Sequence, residues 1–225
     1  SFLKKIVVSE DPDKTLSNKE FPWLSYRDIE IGMCPVRALR VAYTGELGWE
    51  LHHPIEMQNY LLDILLSSGK EFNLKLVGAR AQNWLRQEKS YKAFGSDLGR
   101  DAGPFESNLS RFVDINKNFL GKDALLKRKT DVSCVTLLID GPKDMDPWGR
   151  EALYNETEEI MLGRLTSAGY SVHFKRSIGI GYVKSSFSEV GTKLRIKIDD
   201  AFWNAEIVRD SPYDPQNERI IDRAQ

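Results

Sequence analysis

Apolar and polar positions recur at different periods along the chain, and the dominant period changes near residue 130. Between 36 and 53 the pattern is that of two extended runs around a turn. Residues 36–43 are largely apolar, Gly45 and Gly48 interrupt them, and Trp49, Leu51 and His53 then alternate with Glu50 and His52. A strand pleat would put the first three on one face and Glu50 and His52 on the other. Met57, Tyr60, Leu61, Ile64 and Leu65 follow at helical spacing, and Gly69 closes the predicted amphipathic helix. Residues 74–77 predict a short strand. Gly78 opens a second helix, in which Ala81, Trp84, Leu85 and Glu88 share a face while Arg86 points elsewhere with Gln82 and Asn83. Residues 1–35 carry little pattern and predict a loop or edge segment, with Phe21-Pro22-Trp23-Leu24 as its apolar anchor. Beyond about Thr130, short β-branched runs at 132–139, 159–162, 178–183, 194–198 and 205–208 are separated by turn residues. No helix-length pattern interrupts them, which predicts an all-β sandwich or barrel.

Composition narrows the classes. With 32 basic and 33 acidic residues in 225 the net charge is -1, so there is no electrostatic case for nucleic acid as a partner. No stretch approaches a membrane span; the most apolar one, near 60–66, contains Asp63. Cys34 and Cys134 form no C-x-x-C and predict two buried thiols in a reducing compartment. His52 and His53 point to opposite faces and His173 lies far along the chain, so no metal site is expected. Neither a Walker A loop, a G-x-G-x-x-G fingerprint nor a G-x-S-x-G elbow is present, and no flavin site is expected on this chain.

The candidate chemistry lies in Tyr43-Thr44-Gly45-Glu46-Leu47-Gly48-Trp49-Glu50. Its glycines let the backbone turn sharply, and an ionised carboxylate beside aromatic rings suits a flat heterocycle with an N–H donor edge. A glycine hairpin with an exposed Glu and no ligand gives the same pattern. Arg86 is, on spacing alone, an exposed helical arginine. Asp97 and Glu106 read either as paired acid/base carboxylates or, the reading favoured here, as side chains capping turns among Gly and Pro.

The octet resembles the Y-T-G-E-x-G-[FYW]-E signature of the aminomethyltransferase (glycine cleavage T-protein) family. Further segments resemble that family in the same order. Residues 77–88 are similar to its G-A-R-x-x-x-x-L-R-x-E, with Gln87 where most members have Leu. Residues 91–106 match its aromatic-x-x-x-G-x-[DE] and [TN]-P-x-E layout, with Gly103 in place of a polar residue. Residues 118–125, 163–170 and 178–183 continue the match. Asp146-Pro147-Trp148-Gly149, Ser211-Pro212-Tyr213-Asp214-Pro215 and Glu88-Lys89-Ser90-Tyr91 lean toward the dimethylglycine and sarcosine dehydrogenase branch.

The resemblance implies an α+β fold: the second half of an aminomethyltransferase-type folate-binding domain (1–129), then an all-β barrel-like domain (130–225). It implies tetrahydrofolate as cofactor, with Tyr43 and Glu50 on the pterin and Arg86 reaching the folate site. FAD would belong only to an upstream domain outside the chain. The implied activity is transfer of a formaldehyde-level carbon to tetrahydrofolate, from an N-methylated glycine or an aminomethyl carrier, in a larger enzyme of the bacterial cytoplasm or mitochondrial matrix. The family's essential aspartate lies N-terminal to the matched region. No catalytic residue is therefore assigned here, and the chain is expected to be a C-terminal piece or split subunit, inactive alone. Two other expectations stay open: a non-catalytic regulatory or interaction module of the same fold, and a folate-dependent demethylase of another methyl donor.

Overall fold

A computed structural model describes residues 2–141 and 147–221. The chain forms two compact units, Ser1–Gln82 with Gln216–Gln225, and Asn83–Pro215.

In the first unit, helices α1 (Phe2–Ile6) and α2 (Pro12–Thr15) precede an antiparallel sheet of β1 (Tyr26–Ile31), β2 (Cys34–Leu39) and β3 (Glu50–His52), and α3 (Gln58–Gly69) follows. Asp11 caps α2 by accepting from the Lys14 amide at 3.0 Å, with Pro12 at the first helical position. β1 and β2 pair from Tyr26↔Leu39 to Ile31↔Cys34 and turn through Gly32-Met33, where Gly32 has φ +58°. The Tyr60 hydroxyl accepts from the Met33 amide and fixes this turn to α3. Inward residues Ile29, Ile31, Cys34, Val36 and Ala38 build a core with Leu3, Val7, Leu16, Phe21 and Leu61. The outward rows hold Tyr26, Asp28 and Glu30 on β1, Pro35 and Arg37 on β2, and Glu50 and His52 on β3.

Three expectations change here. Residues 1–35 are not a loop: they supply α1, α2 and β1, whose inward alternation rests on only two residues, Ile29 and Ile31. The strand from 36 ends at Leu39, because the Arg40 backbone turns to pair with Leu24 and Ser25 and its side chain is buried. Residues 74–77 form no strand and leave Leu74, Leu76 and Val77 exposed.

The division between units falls within α4 (Ala79–Glu88). The second unit contains α5 (Lys122–Lys127) and the strands β4 (Val132–Asp140), β5 (Ala152–Tyr154), β6 (Met161–Ser171), β7 (Arg176–Lys184), β8 (Lys193–Ile198) and β9 (Ala201–Val208). The strands close into an antiparallel barrel in the order β4-β7-β6-β5-β8-β9, so the fold is α+β with an all-β second part. Leu137, Ile139, Leu153, Leu165, Ile196 and Ile207 are fully buried inside it. β6 runs well past the expected 159–162 and takes in the whole Gly163–Tyr170 motif. A Cβ at Gly163 would collide with the Tyr182 carbonyl on β7, which is why that position holds glycine. Between Leu165 and Ser167 the β6–β7 register shifts by a bulge, which re-aims Thr166 and Ser167.

Candidate functional site

The octet forms a connection of bends between β2 and β3, longer than a tight hairpin, and only Glu50 of it belongs to a strand. Its two ends are held by packing. Trp49 lies edge-on to Phe21 with ring centroids 4.8 Å apart, and the Arg40 guanidinium stacks 5.5 Å from the Trp49 ring. Arg40, 2% exposed, donates to the Phe21 carbonyl at 2.6 Å and to the Asn18 side chain. The apolar anchor expected at Phe21 is therefore what seats the loop. Gly45 takes φ +83°, a conformation only glycine adopts cheaply, and Glu46 pairs with Arg219 at 3.5 Å.

Strand pleat then separates the side chains as expected. Trp49 and Leu51 pack on the core, while Glu50 and His52 stand on the outward face, 54% and 60% exposed. His52 Nε2 lies 3.3 Å from Glu50 Oε2. On the same face Arg37, the cross-strand partner of His52, donates to both oxygens of Asp28 at 2.8 and 3.1 Å. The hydrogen bond from Arg37 holds the Asp28 carboxyl below its ordinary range. An open concavity of about 1060 Å³ is lined in part by Asp28, Glu30, Arg37, Leu39 and His52. Tyr43 is half-buried in the connection.

Arg86 belongs to the second unit and is buried rather than exposed. Its Nε donates to Asn83 Oδ1 (2.8 Å), Nη1 to the Tyr91 carbonyl (2.6 Å) and Asp97 Oδ2 (2.7 Å), and Nη2 to Ser167 Oγ (2.7 Å). Asp97 also accepts from the Ala93 amide at 2.9 Å, and its Oδ1 from Thr166 and Ser167 at 2.5 and 2.6 Å. The bulge in β6 thus delivers two hydroxyls to one buried ion pair. Tyr182 on β7 donates to the Asp97 carbonyl at 2.8 Å, and burial pushes its phenol up to about 12. Sequence reasoning found Arg86 and Asp97 separately and missed that they meet. Glu106 has a different set of partners, Arg128 Nε at 3.0 Å and Thr130 Oγ1 at 2.8 Å, so the two carboxylates are not an acid/base pair. Burial pushes the Glu106 carboxyl up, but the hydrogen bonds from Thr130 and Arg128 outweigh it and hold the group below its usual range. Cys34 and Cys134 are buried free thiols, and burial raises Cys134 to about 12. Of the Asp146–Gly149 motif, Asp146 lies outside the described residues. Among the described residues no cluster of His, Cys, Asp or Glu could hold a metal, and no helix is long and apolar enough to cross a membrane.

Comparison with known proteins decides the family. Residues 4–117 match the GCVT N-terminal domain, and residues 133–214 match the glycine cleavage T-protein C-terminal barrel domain. The chain belongs to the glycine cleavage T-protein family. It is 35% identical over 211 residues to mitochondrial dimethylglycine dehydrogenase of Mus musculus, covering 91% of this chain but 23% of that protein. It is 30% identical over 203 residues to the aminomethyltransferase of Caldanaerobacter subterraneus subsp. tengcongensis, covering 90% of this chain and 54% of that one. The crystal structure of glycine cleavage system aminomethyltransferase T from Bartonella henselae shares the fold, with TM-score 0.77 at 21% identity over 90% of this chain and 56% of the other. The chain therefore spans about a quarter to a half of these relatives. Those relatives are enzymes, and both the dehydrogenase and the aminomethyltransferase resemblances read from the motifs are found.

Proposed function

We propose that this chain is the tetrahydrofolate-binding, one-carbon-transfer part of an aminomethyltransferase-like enzyme, akin to the dimethylglycine and sarcosine dehydrogenases. The division by pattern into a folate-binding part (1–129) and a barrel (130–225) belongs to this proposal, as does residence in a bacterial cytoplasm or a mitochondrial matrix. The observation that carries it is the placement of Glu50. An outward strand position leaves its carboxylate exposed, with one oxygen on His52 and the other, among the described residues, without a hydrogen-bond partner. Such a group fits the paired N–H donors of a pterin, and Tyr43 offers ring surface in the same connection. Arg86, carried into the proposal by the family resemblance, fits less directly: it is 3% exposed and tied to four protein groups of its own unit.

Tetrahydrofolate, when bound, supplies the amine nitrogen that accepts the formaldehyde-level carbon. The contribution of this chain is orientation: Glu50 fixes the edge of the heterocycle, and Phe21, Trp49 and Arg40 hold the loop that carries Tyr43. The carbon donor would be an N-methylated glycine or an aminomethyl carrier, processed elsewhere in a longer protein or by a partner subunit, with any FAD held there. Titration with tetrahydrofolate tests the reading. Weak saturable binding, reduced about tenfold or more in Glu50→Gln, is expected, since a hydrogen bond to a charged group is lost. Equal binding by the two proteins, or none by the native chain, overturns it, as does turnover of an N-methylglycine by the chain alone.

A further inference from the structure

We infer that His52 is a positioning residue for the Glu50 carboxylate, a role that rests on the folate reading and goes beyond it. Both side chains stand two residues apart on β3, on the same outward face, and the imidazole Nε2 lies 3.3 Å from Glu50 Oε2. An exposed glutamate on a three-residue edge strand would otherwise sample several rotamers, and each costs binding that depends on one orientation. With the Nε2–H tautomer donating to Oε2, the contact restrains the carboxylate and leaves Oε1 as the acceptor for a ligand. The other charged groups on this face cannot do the same. Arg37, across from His52, has its fork on both oxygens of Asp28, and His53, just past the end of β3, has Nδ1 2.8 Å from the Pro54 carbonyl.

The test uses the whole chain at pH 8, with tetrahydrofolate as probe. His52→Leu should bind about fivefold more weakly, the size expected from one lost hydrogen bond. His52→Gln keeps an N–H donor, so it should bind within about twofold of native. Thermal melts of both variants that match the native chain exclude a folding defect. If His52→Leu binds like the native chain, or if His52→Gln is as weak as His52→Leu, the role is overturned. In those cases a Glu50→Gln protein that has lost affinity leaves the folate reading standing. A Glu50→Gln protein that binds normally removes both.

Discussion

Individual residues show which family positions were retained for reasons of packing and which departures have consequences. Gln87 stands where the family resemblance expects leucine, and it is fully buried. Its Nε2 donates to the Asn83 carbonyl at 3.0 Å, while Oε1 finds no hydrogen-bond partner among the described residues. A buried acceptor without a donor forfeits its hydration, so an apolar side chain of similar volume removes a penalty and adds contacts. Gln87→Leu should therefore raise the unfolding free energy by about 1 kcal/mol, read as a higher urea midpoint with an unchanged slope. Glu106 also has one buried oxygen, Oε2, without a partner among the described residues, but its Oε1 accepts from Arg128 and Thr130. Its carboxyl is depressed in the folded state by Thr130 and Arg128, so the stability it contributes is complete above the unfolded value of about 4.3 and is lost as pH falls through the folded value. Urea midpoints at pH 7 and pH 3 should differ less in Glu106→Gln than in the native chain, with the variant less stable at pH 7. The direction in which Glu50 points was legible from alternation alone. Burial of Arg86 was not, because the last turn of α4 is enclosed on all sides at Arg86, Gln87 and Glu88, and no periodicity marks a helix turn without a solvent face.

At the level of elements, the strands with β-branched runs could be read with small errors at their ends, except β6, expected at 159–162 but running Met161–Ser171, and short or charge-rich ones could not. β5 has three residues and β1 only two inward apolar positions, so neither rises above the background of a loop. The bulge in β6 is invisible to pattern, yet it is the device that brings Thr166 and Ser167 to Asp97. The helix–loop–strand joint made by Arg86, Asp97 and Ser167 is held by an ion pair that is almost fully desolvated, with side chains 3% and 0% exposed. Removing one partner leaves a buried charge without compensation. Arg86→Ala should cost about 3–5 kcal/mol, and adding Asp97→Asn should recover part of that loss. Additive losses in a denaturant double-mutant cycle would show that the two side chains do not act as a unit. Gly163 sets the barrel seam more strictly: its Cβ position is occupied by backbone, which cannot move as a side-chain end can. Gly163→Ala should melt well below the native chain, in contrast to Gly191→Ala, where nothing lies within 4 Å and only the positive φ opposes the change.

The whole molecule has two cores in one chain, one on each side of the change of hydrophobic period near 130, but the division into compact units falls earlier, between Gln82 and Asn83. The sheet of β1–β3 has its own apolar cluster, from Leu3 to Leu61, and the barrel has another, from Val135 to Ile207. Between these lies 83–129, which grows no large apolar cluster. Instead, Ser90 through Asn108 is fastened to barrel strands by Ser90, Asp97, Ser107 and Asn108. A pattern reading assigns such a segment by its position in sequence, because polar side-chain bonds leave no periodic trace, whereas the fold assigns it by what it touches. The segment after β9 is tied the same way: the Ser211 amide donates to Ser90 Oγ, the Tyr213 amide to the Glu88 carbonyl, and Lys89 Nζ to the Asp214 carbonyl at 2.6 Å. These bonds predict that a protein cut to residues 83–215 folds cooperatively, with a single unfolding transition and a full β circular-dichroism signal. One cut to 130–215 lacks the acceptors and donors that satisfy Thr136, Thr166, Ser167 and the 210–214 backbone, and should melt at least 10 °C lower, since several kcal/mol of buried polar pairing are removed. Equal stability of the two pieces would mean that the barrel closes on its own and that the polar segment merely rests against it.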